Sequence, residues 1–598
     1  METTARSSTR TAEWEQWLPF LATLRTYQPA YFRRDLVASL TVALLDVPQA
    51  IAYAMIAGLP PVYGLYTSMV MGFVSALFNS SNHVVCGPTN AISIMVASTW
   101  ISSSDPAIRD NPVTVVVMLT FMVGVIQLAF GVLKVGNLSQ FVSQSVLVGF
   151  VTGAGVLIVI NQLPILLGIS LPRATHFLEQ LGNLLGHLAE LNPSSLGVGL
   201  LTMIIVAVGQ RRFPRWPSAL GAVILMAALV QWLDLETQGV TLIGTIPSGL
   251  PRFALPRINL PQLADLADNA LAIAILGCVE TLSIAKSLNL LTGQRTNNNQ
   301  DFIGNGIAHV VGSFFHCMPG CGSFTRSALN FQSGARTRVA GMFCAVWVGV
   351  ILVVLGPWAR FIPQASLAGL LVVLGTSLIK WPHIRVSLRS TKSDATVLLL
   401  TFLCTLVLHL ETAIYVGVIS SLVLFLRKAS APHLVEYDLA GDHFREIRGD
   451  NQRSLPEVSI IHVEGELFFG AAELFEDEVR RLARDPNIRV VILRMKNARH
   501  LDATAVTALA GLWKFLRNDG RLLLISGASP DVMRVLRGSG LLAEMGAENI
   551  FPAEENLTAA TRKALQRAQQ FLGKGVKPEV RVFYEKTRAE QQGLKGGV

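Results

Sequence analysis

Charge is scarce in this sequence. Only 15% of its 598 residues are Asp, Glu, Lys or Arg, against about 25% in an ordinary soluble domain. With 51% hydrophobic residues and a mean hydropathy of +0.47, the chain lacks the polar surface that a globule needs in water. The same figures exclude disorder, collagen and a small disulfide scaffold. The six cysteines (Cys86, Cys278, Cys317, Cys321, Cys344, Cys404) form no CxxC pair, so neither a zinc site nor a disulfide framework is expected. The N-terminus, with Glu13, Trp14, Glu15 and Trp17, lacks the basic-then-apolar pattern of a cleaved signal peptide. A Walker phosphate loop is missing as well, which argues against ATP hydrolysis, and no cofactor or metal is expected. What remains is a polytopic membrane protein with a soluble piece attached. In so apolar a chain the net charge of +9 marks cytoplasmic loops rather than a nucleic-acid partner.

A helix needs about 20 apolar residues to cross about 30 Å of hydrocarbon. Fourteen such runs, some short, lie near 36–56, 62–80, 88–103, 112–134, 142–166, 194–210, 218–235, 266–286, 300–317, 323–333, 338–357, 363–379, 394–410 and 411–427. An even count puts both termini on one side. With the N-terminus inside, inner loops carry Lys134, Arg211, Arg212, Arg215, Lys286, Arg295, Arg336, Arg338, Lys380, Arg385, Arg389 and Lys392. Outer loops carry only Arg109, Arg173, Arg252, Arg257 and Arg360. The positive-inside rule therefore predicts cytoplasmic termini.

The chain divides into a cytoplasmic N-terminal segment (1–34), a membrane domain (35–428), a polar linker (429–456), a soluble α/β domain (457–570) and a charged tail (571–598). In the soluble part VSIIHVEG, LFFG, RVVILRM and RLLLISG read as strands. Helices are expected over 471–485, 504–517 and 530–539. That alternation predicts a small sheet covered by helices.

Two segments break the rules for plain spanning helices. Val85-Cys86-Gly87-Pro88-Thr89-Asn90 opens one short apolar run, and Gly320-Cys321-Gly322-Ser323-Phe324-Thr325-Arg326 opens another. They hold the third place in each set of seven. Paired interruptions at matching places point to a transporter site between inverted repeats. A half-helix starting inside the membrane presents unpaired N–H groups and the positive end of its dipole, and so attracts an anion. The bland alternative is that the glycines only permit close packing and Pro88 only kinks the chain; a matched pair makes that less economical.

Ionisable residues in apolar runs default to function. Glu280, in LAIAILGCVETLSIAKSL, is suited to carry a proton or face a cation, or else to hold a broken helix. Arg326 sits just inside the second half-helix, where it adds positive charge, anchors the cytoplasmic side or pairs with Glu280. Asp46, Gln49 and Tyr53 fall on one helical stripe. Gln49 and Tyr53 are placed to hydrogen-bond an oxyanion; for Asp46, structural pairing with Arg326 is favoured over proton coupling. His83, His309, His316 and His409 lack metal-ligand spacing and read as packing or interfacial residues.

These residues also match a known pattern. DLVASLTVALLDVPQAIAYAMIAGLPPVYGLYTS (35–68) resembles the first helices of the sulfate permease (SulP) family, related to solute carrier family 26. The likeness continues through VCGPTNAISIMVAS, VETLSIAKSL, TGQRTNNNQDFIGNGIAHVVGSFF and MPGCGSFTRSALNFQSGARTRVAGM, from about residue 30 to 570. The soluble part is similar to a STAS domain, especially at RVVILRMKNARHLDATAVTAL. The resemblance implies fourteen segments in two inverted repeats of seven, with a core domain (segments 1–4 and 8–11) moving against a gate (5–7 and 12–14) in elevator fashion, and a homodimer. Carried over by motif, it puts Gln49, Tyr53, Thr89, Asn90, Phe324, Thr325 and Arg326 at the anion, and Glu280, with Asp46 beside it, at the coupling ion.

Three departures qualify that likeness. Thr89 stands where many members have Phe. Sodium-coupled bicarbonate members resemble an Asp with a Thr four residues later, whereas this chain has Glu280 and Ile284. The lost oxygen weakens a sodium site and favours protons. Asp502-Ala503-Thr504-Ala505 lacks the Gly of the phosphorylated loops it resembles, so Thr504 is only a weak regulatory candidate. The expectation is a cell-membrane, proton-coupled sulfate transporter, with bicarbonate and C4-dicarboxylates as other substrates. An uncoupled anion channel or exchanger of the same fold is the alternative, though Glu280 argues against it; a nucleobase permease and a receptor with a membrane anchor are the readings it displaces.

Overall fold

The structure, a computed structural model, describes residues 18–573 apart from 102–110, 137–142, 172–176, 213–216, 245–248, 257–259, 430–432, 441–442, 447–454, 468, 483–484, 500 and 557. Arg109, Arg173, Arg215 and Arg257, used above for orientation, lie outside the described residues. So do the N-terminal segment to residue 17 and the tail beyond 573. The chain forms two compact units, divided between Leu422 and Val423.

Every one of the fourteen apolar runs is a helix. After the short α1 (Pro19–Thr26), the first series is α2 (Pro29–Ile56), α3 (Pro61–Phe78), α4 (Asn90–Ile101), α5 (Pro112–Val132), α6 (Gln144–Leu167), the amphipathic α7 (Phe177–Gly186), α8 (Pro193–Arg212) and α9 (Ser218–Trp232). The second is α10 (Leu260–Thr292), α11 (Asn298–Ser313), α12 (Phe324–Gln332), α13 (Val339–Leu355), α14 (Gln364–Leu378), the amphipathic α15 (Trp381–Ser390), α16 (Lys392–Val407) and α17 (Leu410–Ala429). Among the described residues, eight helices have the length and hydropathy to cross a membrane. Asn90–Ile101 and Ser218–Trp232 are shorter apolar helices. Each series interposes its amphipathic helix after its fifth apolar one, a correspondence that hydropathy alone conceals.

Packing sorts the helices into two groups. α5 lies against α10 and α11, α3 against α11 and α13, and α2 against α13. Separately, α6 packs on α14 and α16, and α8 on α14. Small residues let the backbones close: a Cβ on Gly124 of α5 would stand 2.9 Å from the Gly306 carbonyl oxygen of α11. Without water to drive apolar association, such close backbone contact is what holds helices together in lipid.

Between α3 and α4, and again before α12, the chain leaves the helix. Two dipeptides pair as an antiparallel ribbon, β1 (Cys86–Gly87) with β2 (Cys321–Gly322), in register Cys86 to Gly322 and Gly87 to Cys321. Ser323 N–H adds a bond to the Val85 carbonyl at 3.0 Å. Irregular backbone survives in an apolar interior only when its polar groups find partners; here each break satisfies the other.

The second unit contains a six-stranded sheet in the order β4-β3-β5-β6-β7-β8. Its strands are β3 (His433–Ala440), β4 (His443–Glu446), β5 (Val458–Glu466), β6 (Val490–Arg499), β7 (Leu522–Ala528) and β8 (Ile550–Pro552), with β5 to β8 parallel. Helices α18 (Phe469–Leu482), α19 (Ala503–Asn518), α20 (Pro530–Gly538), α21 (Leu541–Met545) and α22 (Ala559–Phe571) alternate with them. Two expectations need correction. The stretch 429–456, read as linker, supplies β3 and β4, and β3 pairs antiparallel with β5. LFFG is no strand: Phe469 and Gly470 open α18 while Leu467 is buried in the core. A four-residue apolar run does not distinguish the two states by periodicity.

Candidate functional site

The ribbon is clamped from all sides by polar side chains. Thr281 Oγ1 of α10 accepts from Gly322 N–H at 3.0 Å, and Ser327 Oγ accepts from Val85 N–H at 2.9 Å. Thr67 Oγ1 of α3 accepts from Met318 N–H at 2.9 Å, while Thr120 of α5 donates to the Cys317 carbonyl at 2.9 Å. His309, fully buried, faces Gly320 N–H with Nε2 at 3.2 Å and the Asn305 carbonyl with Nδ1 at 2.8 Å. One neutral tautomer satisfies both contacts. Sequence reading had placed His309 as packing or interfacial; its task is to orient the approach to β2. Motif spacing held no signal for this, because its partner is a backbone amide.

The ribbon delivers two helix starts to one cavity of about 690 Å³. Thr89 and Asn90 line it from α4, and Phe324 and Thr325 from α12; Tyr53 of α2 and Glu280 of α10 complete that wall. The opposite wall comes from α6 (Gln144, Leu147, Val148 and Val151) and from Leu378, Lys380 and His383. The cavity thus lies between the two packed groups. At each start the first amides have no carbonyl one turn earlier to bond, and the dipoles of both helices present their positive ends.

Burial sharpens the picture. Among the described residues, the Oδ1 of Asn90, which is 7% exposed, has no hydrogen-bond partner, and Gln49, 1% exposed, leaves both Oε1 and Nε2 without one. Buried polar atoms are almost always paired, and of these two amides Asn90 lines the cavity, where a polar solute can complete its set. Glu280 is half-buried and its Oε2 accepts from the Cys321 thiol at 2.8 Å. Lys380 Nζ sits 4.0 Å from the centroid of the Phe324 ring, and Lys286 lines the same space.

Not every expected residue reaches this cavity. Gln49 is buried but does not line the cavity. Arg326 turns away from the cavity: fully buried, its Nη1 pairs with Asp46, and its Nη2 donates to the Pro88 carbonyl at 2.8 Å. The expectation of Arg326 as a positive charge beside the anion is thereby corrected, while Asp46 makes the structural pairing favoured for it over proton coupling; each neutralises the other. Gly87 is shaped around this guanidinium, since a Cβ there would stand 2.7 Å from Nη1. Thr504 lies in the second unit, exposed in the first turn of α19 behind the Asp502 cap. Lys286, Lys380, His383 and Cys321 were not anticipated in roles here. Lys286 and Lys380 are expected only as inner-loop charges, and Cys321 only as one of six cysteines without a CxxC pair.

The comparisons with known proteins agree with this architecture. The profile of the sulfate permease family matches residues 32–401, more than half of the chain, and that of the STAS domain matches 451–557. A probable sulfate transporter 4.2 of Arabidopsis thaliana is 30% identical over 560 residues, covering 89% of this chain and 82% of its own. The structure of the murine Solute Carrier 26 family member A9 anion transporter in the inward-facing state superposes with a TM-score of 0.84 at 22% identity, over 94% of this chain and 95% of that one. The transmembrane domain of the cyanobacterial bicarbonate transporter BicA does so at 0.58 and 26% identity, over 66% of this chain and 98% of that one. A membrane-spanning helical domain followed by a STAS domain is the fold of this protein, and integral membrane transport rather than enzymatic catalysis is the business of its relatives by family. The chain belongs to the sulfate permease family.

Proposed function

We propose that the protein is a secondary active transporter that takes up a small inorganic anion, sulfate, together with a proton across the cell membrane. The single observation that carries this reading is the cavity in which two helix starts, the unpaired buried amide of Asn90 and a carboxyl meet. Helix N-termini bind an anion without placing a full cation in lipid, and the carboxyl of Glu280 lies close enough to exchange a proton as the anion comes and goes. Ile284, four residues on from Glu280, lines the same cavity where a sodium ion would need a further oxygen. Coupling to protons follows from that pairing.

In this reading the fourteen helices cross the membrane as two inverted repeats of seven. The group α2–α5 with α10–α13 carries the anion past the group α6, α8, α9, α14, α16 and α17 in an elevator movement. Both termini and the STAS domain face the cytoplasm, and two copies form a homodimer. Bicarbonate is the second substrate to test, because the bicarbonate transporter BicA shares the fold at 26% identity and helix ends recognise charge more than shape.

The test is uptake of labelled sulfate by the purified protein in liposomes, with unlabelled bicarbonate, succinate and chloride as competitors. Acidifying the outside should stimulate uptake, and Glu280→Gln should leave a residual rate that no longer responds to pH. Uptake that follows sodium and ignores pH overturns the coupling; competition by bicarbonate alone overturns the substrate. In the same assay Lys380→Met should raise the half-saturating sulfate concentration by about threefold to tenfold, the worth of one charge near the path at an intermediate dielectric. The difference should shrink as ionic strength rises. An unchanged half-saturation would remove Lys380 from the entry path.

A further inference from the structure

Beside the helix starts lies a chain of three side chains whose middle member has no part in the reading above. Cys321, 1% exposed, donates its thiol proton to Glu280 Oε2 at 2.8 Å. Thr89 Oγ1 lies 3.2 Å from the same sulfur. The thiol therefore connects the residue that opens α4 to the acid on α10, through direct contacts. Two sides of the cavity that belong to different repeats meet at one sulfur atom.

Chemistry gives this junction a direction. A thiol is a weak donor and a weak acceptor with a single proton. While that proton points at Glu280, the sulfur is left to accept from the Thr89 hydroxyl, and a donor that itself accepts a bond donates more strongly. Thr89 has one proton to give. When an anion occupies the start of α4, the hydroxyl turns to it, the sulfur loses its donor, and the thiol holds the Glu280 carboxylate less firmly. We propose that Cys321 is a positioning residue that links anion occupancy at Thr89 to protonation of Glu280, so that each favours the other. The thiol keeps its own proton throughout; the proton that Glu280 takes comes from the water of the cavity. Linkage of this kind is reciprocal: protonating Glu280 tightens the anion, as symport requires. The inference rests on the proton-coupled reading.

The other charges around Glu280 stay in place when Cys321 changes. Lys286 of its own helix and Lys380 and His383 of the far wall line the cavity with it. Asp46 and Arg326 pair with one another, and Tyr53 lines the same wall. From α11, Asp301 is held by Ser80 and His309 by Gly320. The sequences of α4 and α5, also packed on α10, contain no ionisable side chain.

The experiment measures sulfate uptake into proteoliposomes across external pH for the full-length wild type, Cys321→Ala, Cys321→Ser and Thr89→Val. Loss of a donor to the carboxylate should move the midpoint of acid stimulation in Cys321→Ala to higher pH by about half a unit to one unit, the worth of one hydrogen bond. The dependence of half-saturation on pH should flatten in step. Cys321→Ser should restore both, and Thr89→Val, which leaves the thiol intact, should shift the midpoint in the same direction as Cys321→Ala. Should Cys321→Ala fail to fold, Cys321→Ser and Thr89→Val still decide the matter. Wild-type acid stimulation with superimposable midpoints in Thr89→Val and the folded Cys321 variants overturns the linkage alone. Absence of acid stimulation in the wild type overturns the proton-coupled reading, and the linkage with it.

Discussion

Replacing Asp46 by Asn should strip the protein of about 3–5 kcal/mol of stability, the cost of leaving one member of a buried ion pair without its partner. Arg326 is fully enclosed and Asp46 is 1% exposed. With the carboxylate replaced by a neutral amide, the guanidinium has no counter-charge among the described residues it contacts and keeps the Pro88 carbonyl and a 3.4 Å contact to Ser68 Oγ. Arg326→Met alone should be about as damaging, because it leaves a carboxylate in the same dry space. The double variant Asp46→Leu with Arg326→Met should recover most of the loss, since apolar replacements of a buried pair are often neutral. Thermal unfolding and folded yield in detergent read these differences. Transport should stay impaired in the double variant, because Arg326 also holds the Pro88 carbonyl that positions Thr89. A single Asp46→Asn variant as stable as wild type would show that the pair does not support the ribbon.

Gly320→Ala should abolish transport while costing less stability than the broken ion pair. A Cβ at Gly320 would stand 2.4 Å from the Gly87 carbonyl oxygen and 2.7 Å from its carbon, so one backbone must yield to another. Neither strand is free to move alone: Cys86 and Gly87 are in register with Gly322 and Cys321, and each leads directly into a helix that opens on the cavity. The strands must separate, and the two helix starts with them. Displacing interacting groups by about 1 Å costs about a hundredfold in rate at enzyme sites, and a loss of that order in sulfate uptake is expected here. Gly221→Ala is the control, as a Cβ on that helical glycine meets nothing within 4 Å. Normal uptake by Gly320→Ala would mean that the distance between the strands does not set the site.

The fold was legible in the sequence wherever a property is local. Hydropathy located every apolar helix, because burial in lipid requires a continuous run along the chain. The amphipathic α7 and α15 escaped that reading, since a helix with one polar face averages to nothing in a hydropathy window. The two breaks were visible as well, because glycine, proline and hydroxyl residues cluster at matching places in two apolar runs, which close packing alone explains less economically. In the soluble unit the parallel strands β5, β6 and β7 stood out as buried apolar runs, whereas the three-residue β8 did not. Strands β3 and β4 did not either, because HLVEYDLA and HFRE interleave apolar with charged and polar residues.

The site was legible only in part. Thr89, Asn90, Phe324, Thr325, Tyr53 and Glu280 line one cavity because their motifs place them at helix starts or along one face. Arg326 lay in the same motif and yet faces elsewhere, toward a carboxylate 280 residues away in the chain. No spacing rule reaches that far. Cys321, in the sequence one of six cysteines without a CxxC pair, touches Glu280 and Thr89 at once for the same reason: three segments far apart in sequence meet at its sulfur.

By itself the sequence determined that this chain lives in a membrane, that it carries a soluble α/β unit, and that two apolar segments are broken at glycine-rich points. These follow from composition and from backbone chemistry along the strand of covalent bonds. Only the tertiary structure decided that the breaks pair with each other, that Asp46 rather than Glu280 neutralises Arg326, and that an acid and two helix starts share one cavity. The physical reason is that unsatisfied backbone groups and buried charges must find partners, and which partner each finds depends on how helices hundreds of residues apart pack.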